Sequence, residues 1–417
     1  MIKNLISSYI TKGILLIFNL IYVSVFISLL GIESYGLFSV SLAIVNLFLF
    51  FNTGIGLTII KYLNDKNFNK QNVYETLVIS SLVVISFLGL IQIVFSSYIF
   101  GEMEQLYKTI FFVFWIFTLM FVMGILSSIL NAEEHIHEAN VVEVLFNFLK
   151  LALGVGFIYF FALDGAYLAL IFALLISVII LLIYIYIYID VDINISNYKA
   201  FDWVLLKKMI RFIWFNSLNE GIWRIFSNVD KILISKLFGN EILGYYNIAY
   251  VLVLKLWDFP DALSKVAYPR FSKLKDNYIE LQKIYNKMAS LNVAISLVVN
   301  TIMFIFAFDI ITLWLNVEVA KETAWMLQIM IIGNTLSSDN WVTTKMMLAM
   351  EEVSIMFKYN LISLSVYFIS LGVLYFIFND ITAFLIAFII YYTSYTLLNR
   401  IFVMREFELK KPGVGHL

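Results

Sequence analysis

The sequence predicts an all-α polytopic membrane protein, with about 12 transmembrane helices in two six-helix parallel repeats. Its composition and the length of its apolar segments lead to this fold class. Of the 417 residues, 62% are hydrophobic and 14% charged, with a mean hydropathy of +0.91. Soluble domains carry roughly 45–50% apolar and about 25% charged residues. Apolar segments of about 20 residues, enough to cross a bilayer, recur along the whole chain and leave no room for a large soluble domain.

Apolar segments between polar breaks define the predicted helices. Helices satisfy their backbone hydrogen bonds internally, as lipid requires, and the segments lack the strict alternation of a membrane strand. The first six are 8–30, 37–60, 74–97, 109–130, 141–162 and 165–189. The second six are 209–237, 243–264, 287–308, 323–347, 357–378 and 382–404. Pro260 and Pro269 fall near the end of the eighth segment and Pro412 in the tail, so no other helix is interrupted by a proline.

Lysine and arginine residues predict the orientation of the chain. If the N-terminus is inside, the basic residues of the connections lie on the inner side, except Lys108 and Lys321. Positive charges are retained in the cytoplasm during insertion. Both termini are therefore expected to be cytoplasmic. The basic loop over 265–287 follows from the same rule and needs no nucleic-acid partner.

A short motif repeats half a chain apart. The segment Gly31-Ile-Glu33-Ser-Tyr-Gly36 recurs as Gly239-Asn-Glu241-Ile-Leu-Gly244, displaced by 208 positions. In each copy it follows the first helix of a six-helix half. We expect Gly36 and Gly244 at tight turns, where a side chain would strain the backbone or block packing.

A second match supports a duplication of the chain. The residues Glu133, Glu134 and Gly154 correspond to Glu351, Glu352 and Gly372 at a displacement of 218, as expected if the loop after the eighth segment is longer. The predicted halves are 1–208 and 209–417. An even number of helices gives both halves the same orientation, and such halves usually frame a substrate path at their interface.

The sequence contains few groups suited to catalysis. It has no cysteine, which excludes disulfides, thiolate metal sites and cysteine nucleophiles. It also lacks a phosphate-binding glycine-rich loop and a nucleophile elbow, so ATP-driven transport would need a separate subunit. His135 and His137 lie among three glutamates in a predicted cytoplasmic loop, and His416 is in the tail. We expect no metal site and no cofactor, because the loop has no partner ligand within the membrane.

The seventh segment carries a line of polar side chains at helical spacing. Each charge near the membrane centre costs roughly 2.5–3.5 kcal/mol, so this face is expected to contact protein or water. In one interpretation, the line faces a cationic, substrate-binding cavity between the halves. In the other, Glu220 and Arg224 neutralise each other at i,i+4 and Lys231 pairs with Asp230 or with another helix. The residues on this face are Asn216, Glu220, Arg224, Ser227, Asn228 and Lys231.

Lys12 and Lys150 are candidates in the first half. Lys12 aligns with Glu220 at the displacement of 208, although near a helix start it could also extend to the inner headgroups. Lys150 lies deeper, about ten residues or roughly 15 Å from the inner end of its segment. It could instead be a structural ion-pair partner. The candidate substrate-binding residues are Arg224, Lys231, Glu220, Asn216, Asn228, Lys12 and Lys150.

Three short segments resemble those of a known transporter family. They are Leu30-Gly31-x-Glu33-x-Tyr35-Gly36, Asn228-Val-Asp230-Lys231-x-Leu233 and Tyr268-Pro269-Arg270-Phe271-Ser272. They resemble the polysaccharide-transport branch of the multidrug/oligosaccharidyl-lipid/polysaccharide (MOP) exporter superfamily, which holds the Wzx-type O-antigen flippases.

The resemblance implies a flippase of the bacterial inner membrane, a transporter rather than an enzyme. Its substrate would be an undecaprenyl-diphosphate-linked oligosaccharide, such as an O-antigen repeat unit. The implied partners are this lipid-linked oligosaccharide, membrane lipid, components of a polysaccharide polymerase, and a coupling ion, H⁺ or Na⁺. A diphosphate cannot cross about 30 Å of hydrocarbon bare. Arg224 and Lys231, with Lys12 and Lys150, are expected to provide its cationic path.

Two alternatives remain open. A multidrug or cation antiporter of the same fold would favour an embedded carboxylate in the first half. No Asp or Glu precedes Glu33, although Glu143 is a substitute. A membrane polymerase or glycosyltransferase would need a sizeable outer loop, and the outer connections near 98–108 and 309–322 are too short for one.

Overall fold

The computed structural model describes residues 2–63, 68–101, 106–189, 203–274 and 277–409. Over these ranges the chain is a succession of α-helices without a β-strand, which confirms the predicted all-α class. In chain order the helices are α1 (Ile2–Phe48), α2 (Phe50–Leu63), α3 (Lys70–Phe100), α4 (Leu106–Ala132), α5 (Ile136–Tyr188), α6 (Trp203–Phe238), α7 (Asn240–Leu256), α8 (Asp258–Lys273), α9 (Tyr278–Ile305), α10 (Ala307–Trp314), α11 (Val317–Leu336), α12 (Asn340–Ala349), α13 (Val353–Phe378) and α14 (Thr382–Leu409).

Seven of the described helices are long and apolar enough to cross a membrane: α1, α3, α4, α5, α9, α13 and α14. Two of them, α1 and α5, each hold two predicted segments joined at a residue with non-helical backbone angles. Gly31 interrupts α1 at φ 78°, and Ala162 interrupts α5 at φ 49°. The two arms of α1 fold back on each other, since the Phe26 and Phe38 ring centroids are 5.0 Å apart.

The remaining differences from the predicted segments are breaks and one added helix. The second segment breaks at Leu49, between α1 and α2, and the eighth breaks at Trp257, between α7 and α8. Pro260 lies in the first turn of α8, where its missing N–H costs no hydrogen bond. The tenth segment breaks over 337–339, and the short helix α10 was not predicted.

Backbone angles reveal the internal repeat more sharply than residue identity does. Within the described residues, all six with positive φ fall into pairs. Gly31 pairs with Gly239 at a displacement of 208. The other pairs are Glu134 with Glu351 and Ala162 with Asn379, both displaced by 217. The predicted displacement of 218 in the second region is therefore wrong by one residue.

The turns lie at the first glycine of each motif and not at the second. Gly31 and Gly239 take φ of 78° and 87°, which a glycine adopts without steric cost. Gly36 and Gly244 lie within helices, so their predicted place at turns is wrong, whereas the predicted packing constraint is confirmed. A Cβ on Gly36 would lie 1.7 Å from the Asn240 carbonyl oxygen, so the two backbones touch.

Packing divides the chain into two compact units, Met1–Gly244 and Tyr245–Leu417. In the first unit α1 packs on α5, α4 on α5, and α6 on α1, α2 and α3. In the second, α14 packs on α11, α12 and α13, and α8 on α9 and α12. The predicted halves 1–208 and 209–417 follow the sequence repeat rather than these contacts, and they stay a prediction.

Each unit has a core of large side chains. In the first, the buried Tyr167 ring stacks on Phe112 at 5.2 Å and its hydroxyl lies 2.7 Å from Ser41 Oγ. In the second, the Tyr285 hydroxyl lies 2.9 Å from Thr343 Oγ1, beside the buried Phe407. These hydroxyls are buried but hydrogen-bonded, as a low-dielectric interior requires.

Candidate functional site

The polar line on α6 contains the ion pair that the structural interpretation predicts. Arg224 Nε lies 2.9 Å from Glu220 Oε1, and both side chains are at least about three-quarters buried. Arg224 Nη1 also donates to the carbonyl oxygen of Asn46 at 2.9 Å. Asn46 is in the last turn of α1, where helical carbonyls run out of backbone partners. Arg224 therefore joins α6 to the end of α1.

Lys231 is also balanced by a carboxylate. Its side chain is 8% exposed and its ammonium lies 3.6 Å from Asp230 Oδ1, itself on a side chain 4% exposed. The ammonium also donates to the carbonyl oxygen of Ser227. The pair is thus nearly neutral as a unit, which reduces the cost of its burial.

The two asparagines of the line donate to their own helix. Asn228 Nδ2 donates to the Arg224 carbonyl at 2.9 Å and to Ser227 Oγ at 3.0 Å. Asn216 Nδ2 donates to the Phe212 carbonyl at 2.8 Å. Their amide donors are therefore engaged within α6.

Lys150 differs from the cations of α6. Its ammonium lies 3.1 Å from Asn147 Oδ1 and 3.4 Å from Asn19 Oδ1, and 4.6 Å from the centre of the Tyr22 ring. It also lies 5.8 Å from the Phe146 ring centre. Among the residues that the structure describes, these contacts are all neutral. Amide oxygens and ring faces attract a cation without cancelling its charge.

Lys12 lies on α1, the helix that packs on α5 and its Lys150. It is exposed on α1 and interacts electrostatically with Glu143 of α5. Glu143, Asn147 and Lys150 are spaced by four and three residues, so they share one face of α5. The structure therefore groups the seven candidates into two sets. Five form the line on α6, and Lys12 and Lys150 lie in a polar track between α1 and α5. The residues of this track are Lys12, Asn19, Glu143, Asn147 and Lys150.

Sequence reasoning missed the partners of Lys150. Asn147 was not singled out, and Asn19 and Tyr22 were not connected with this lysine. The spacing of Lys12 and Asn19 at i,i+7 and that of Glu143, Asn147 and Lys150 carried the signal. What the sequence did not give was the pairing of α1 with α5.

The histidine loop has structural contacts. His135 precedes α5, and its Nδ1 lies 2.9 Å from the Tyr184 hydroxyl. Glu133 accepts from Lys70 Nζ at 2.9 Å and from the Tyr74 hydroxyl at 2.8 Å. No group of three His, Asp or Glu side chains in the described ranges is arranged to hold a metal ion. His416 lies outside those ranges.

Comparison with known proteins finds similar chains and similar folds among transporters. The "Putative O-antigen transporter" of Shigella flexneri is 23% identical over 316 residues, which are 73% of this chain and 74% of that protein. An inward-facing multidrug resistance MATE family transporter of the MOP superfamily shares the fold with a TM-score of 0.78, at 16% identity over 95% of both chains. The lipid II flippase MurJ in an inward closed conformation gives a TM-score of 0.77, at 14% identity over 98% of this chain and 89% of its own.

These relatives are transporters and flippases by name, in line with the prediction of a transport protein rather than an enzyme. The family model described as "Polysaccharide biosynthesis protein" matches residues 25–318, more than half of the chain. The chain therefore belongs to the polysaccharide biosynthesis protein family and is a membrane protein with the fold of the MOP exporter superfamily.

Proposed function

We propose that the chain is a flippase that moves an undecaprenyl-diphosphate-linked oligosaccharide from the cytoplasmic to the periplasmic leaflet of the bacterial inner membrane. The observation that carries the proposal is the neutral surrounding of the Lys150 ammonium. A lone charge inside a membrane segment costs roughly 2.5–3.5 kcal/mol. An anionic phosphate in contact with it would offset that cost, so we assign Lys150 to the diphosphate.

The polar track gives the anion a graded path. Lys12 and Glu143 lie toward the start of α1 and α5, and Asn19, Asn147 and Lys150 follow. In the proposal, the amides and Lys150 bind the diphosphate, and Lys12, which Glu143 partly balances, attracts it more weakly than Lys150 does. The hydrogen bonds from the lysine ammonium groups and the amides would replace those from the water that the phosphates lose.

The polar line on α6 has a different role in the proposed function. Arg224 and Lys231 already have carboxylate partners, so their net attraction for an anion is weaker than that of Lys150. We propose that α6 contacts the substrate through Asn216 and Asn228, while Glu220 and Arg224 keep the helix in place. Because their amide N–H groups donate within α6, the amide oxygens would accept hydrogen bonds from oligosaccharide hydroxyls.

The antiporter alternative fits this track less well. A cationic drug would have to pass Lys150, and Glu143, the substitute carboxylate, already faces Lys12. Like charges in a low-dielectric region repel strongly. We also propose that both termini are cytoplasmic. In the proposal, a gradient of H⁺ or Na⁺ drives transport, and the product then passes to a polysaccharide polymerase.

Glycan export in a flippase-deficient host tests the role of Lys150. We expect Lys150→Arg to keep export, and Lys150→Met to lower it at least tenfold with unchanged protein level. Lys358→Met, at an exposed lysine of α13, is the matched control and should export normally. Full export by Lys150→Met would refute the assignment. A wild-type chain that exports no glycan with any polysaccharide precursor would refute the proposed function.

A further inference from the structure

An apolar groove lies between α2, α3 and α6 of the first unit. Its volume is about 650 Å³, within the range of ligand pockets. The groove is open at the surface, where the side chains of Val83, Ile210 and Trp214 are 64%, 53% and 52% exposed. Its lining includes Phe51 and Ile55 of α2, Ile79 and Val83 of α3, and Ile210 and Trp214 of α6.

The groove has the depth of one leaflet. Its lining on α6 runs from Trp203 to Trp214, roughly 16 Å of helix. The hydrocarbon core of a bilayer is about 30 Å thick, so this length covers about half of it. The start of α6 is predicted on the cytoplasmic side. The groove therefore belongs to the inner leaflet.

Two exposed cations of α6 lie beside the groove. Lys207 and Arg211 are on α6, and Lys207 is four residues from Trp203 and three from Ile210, so it borders the groove. Arg211 is three residues from Trp214 and four from Lys207, so it lies beside the same lining. An apolar chain in the groove would thus continue into a positively charged surface.

This combination matches an amphiphile with a long chain and a strongly anionic head. We propose, resting on the proposed function, that the groove holds the polyisoprenyl chain of the carried lipid while Lys207 and Arg211 hold its diphosphate. Two cations suit the two phosphates of a diphosphate better than the single phosphate of a bulk phospholipid. The site would load the substrate from the inner leaflet before its head reaches the α1–α5 track.

A bulky side chain in the groove tests the proposal. Ile210→Trp fills the groove, and Ile302→Trp, at a residue of α9 with the same 53% exposure, is the matched control. Val83→Trp fills the groove from α3, in case the first variant folds poorly. Native mass spectrometry of the full chain in detergent measures bound undecaprenyl diphosphate, with phosphatidylglycerol as competitor. We expect both groove variants to bind at least tenfold less undecaprenyl diphosphate, and the control to bind as the wild type does.

The outcomes separate this inference from the proposed function. Wild-type binding by both folded groove variants would overturn the groove, even if the wild type exports glycan. Equal competition by phosphatidylglycerol would overturn it as well, because the groove would then be a general phospholipid site. A wild type that is a dimer, with groove variants that are monomers, would also overturn the proposal, because the groove would then be a dimer interface. A wild type that neither binds the lipid diphosphate nor exports glycan would instead refute the proposed function.

Discussion

The backbone contact at Gly36 predicts an unusually costly alanine substitution. The new Cβ would lie 1.7 Å from the Asn240 oxygen, whereas ordinary contact starts at about 3.4 Å, so the helices would have to separate by about 1.7 Å. The clashing atoms belong to a backbone, which cannot rotate away. Overpacking costs typically 1–3 kcal/mol, and we expect about 3 kcal/mol here.

Another glycine in the same unit provides the control. Gly156 of α5 has no heavy atom within 4 Å of an added Cβ. Gly156→Ala should therefore stabilise the chain by about 0.5–1 kcal/mol, as alanine does in helices. The two variants should differ by roughly 3–4 kcal/mol in the free energy of unfolding.

Unfolding of the purified protein in mixed detergent micelles measures this difference. Gly36→Ala should unfold at a lower denaturant concentration than the wild type, and Gly156→Ala at an equal or higher one. Gly244→Ala should resemble Gly36→Ala, since its Cβ would lie 2.5 Å from the Ile32 carbonyl oxygen. Equal unfolding midpoints for Gly36→Ala and Gly156→Ala would refute the reasoning.

The ion pairs of α6 and the predicted orientation give three further expectations. Arg224→Gln should lower the level of the protein in the membrane, measured on an immunoblot, because it leaves Glu220 without its arginine. The double variant with Glu220→Gln should restore part of that level. Loss of export at an unchanged protein level would mark Arg224 as a substrate ligand instead. Asp230→Asn should cost about 3–5 kcal/mol in unfolding assays, because it leaves a buried lysine without its carboxylate. In intact cells, an impermeant thiol reagent should label Glu318→Cys and not Lys273→Cys; the reverse pattern would contradict cytoplasmic termini.

The sequence predicted the helices well where the length of an apolar segment determines them. It predicted breaks and turns less well, because these depend on contacts with neighbouring helices. The twelve segments correspond to described helices because lipid imposes their length and composition. The breaks at Leu49 and Trp257 carry no such signal, since a short break in an apolar run leaves hydropathy unchanged. The turn was assigned to Gly36 because the motif contains two glycines, and only backbone angles distinguish Gly31 as the turn.

The candidate site shows the same division. The charges of α6 were identified because each is costly in a membrane. Their partners could be predicted only within the helix, as with Glu220 and Arg224 at i,i+4. The link from Arg224 to Asn46 and the group around Lys150 join helices far apart in sequence, and hydropathy carries no information on such neighbours.

The paired backbone angles bear on how a duplicated chain diverges. At one turn the first copy has Ala162 and the second Asn379, both at φ near 50°. Asparagine tolerates positive φ better than alanine does. Their ψ angles differ, at −132° for Ala162 and 28° for Asn379, so the two copies turn at the corresponding place with different backbone conformations and bear unequal local strain. Evolutionary comparisons within this family should therefore align bends before residues, and an engineered chimera should join the copies at these bends.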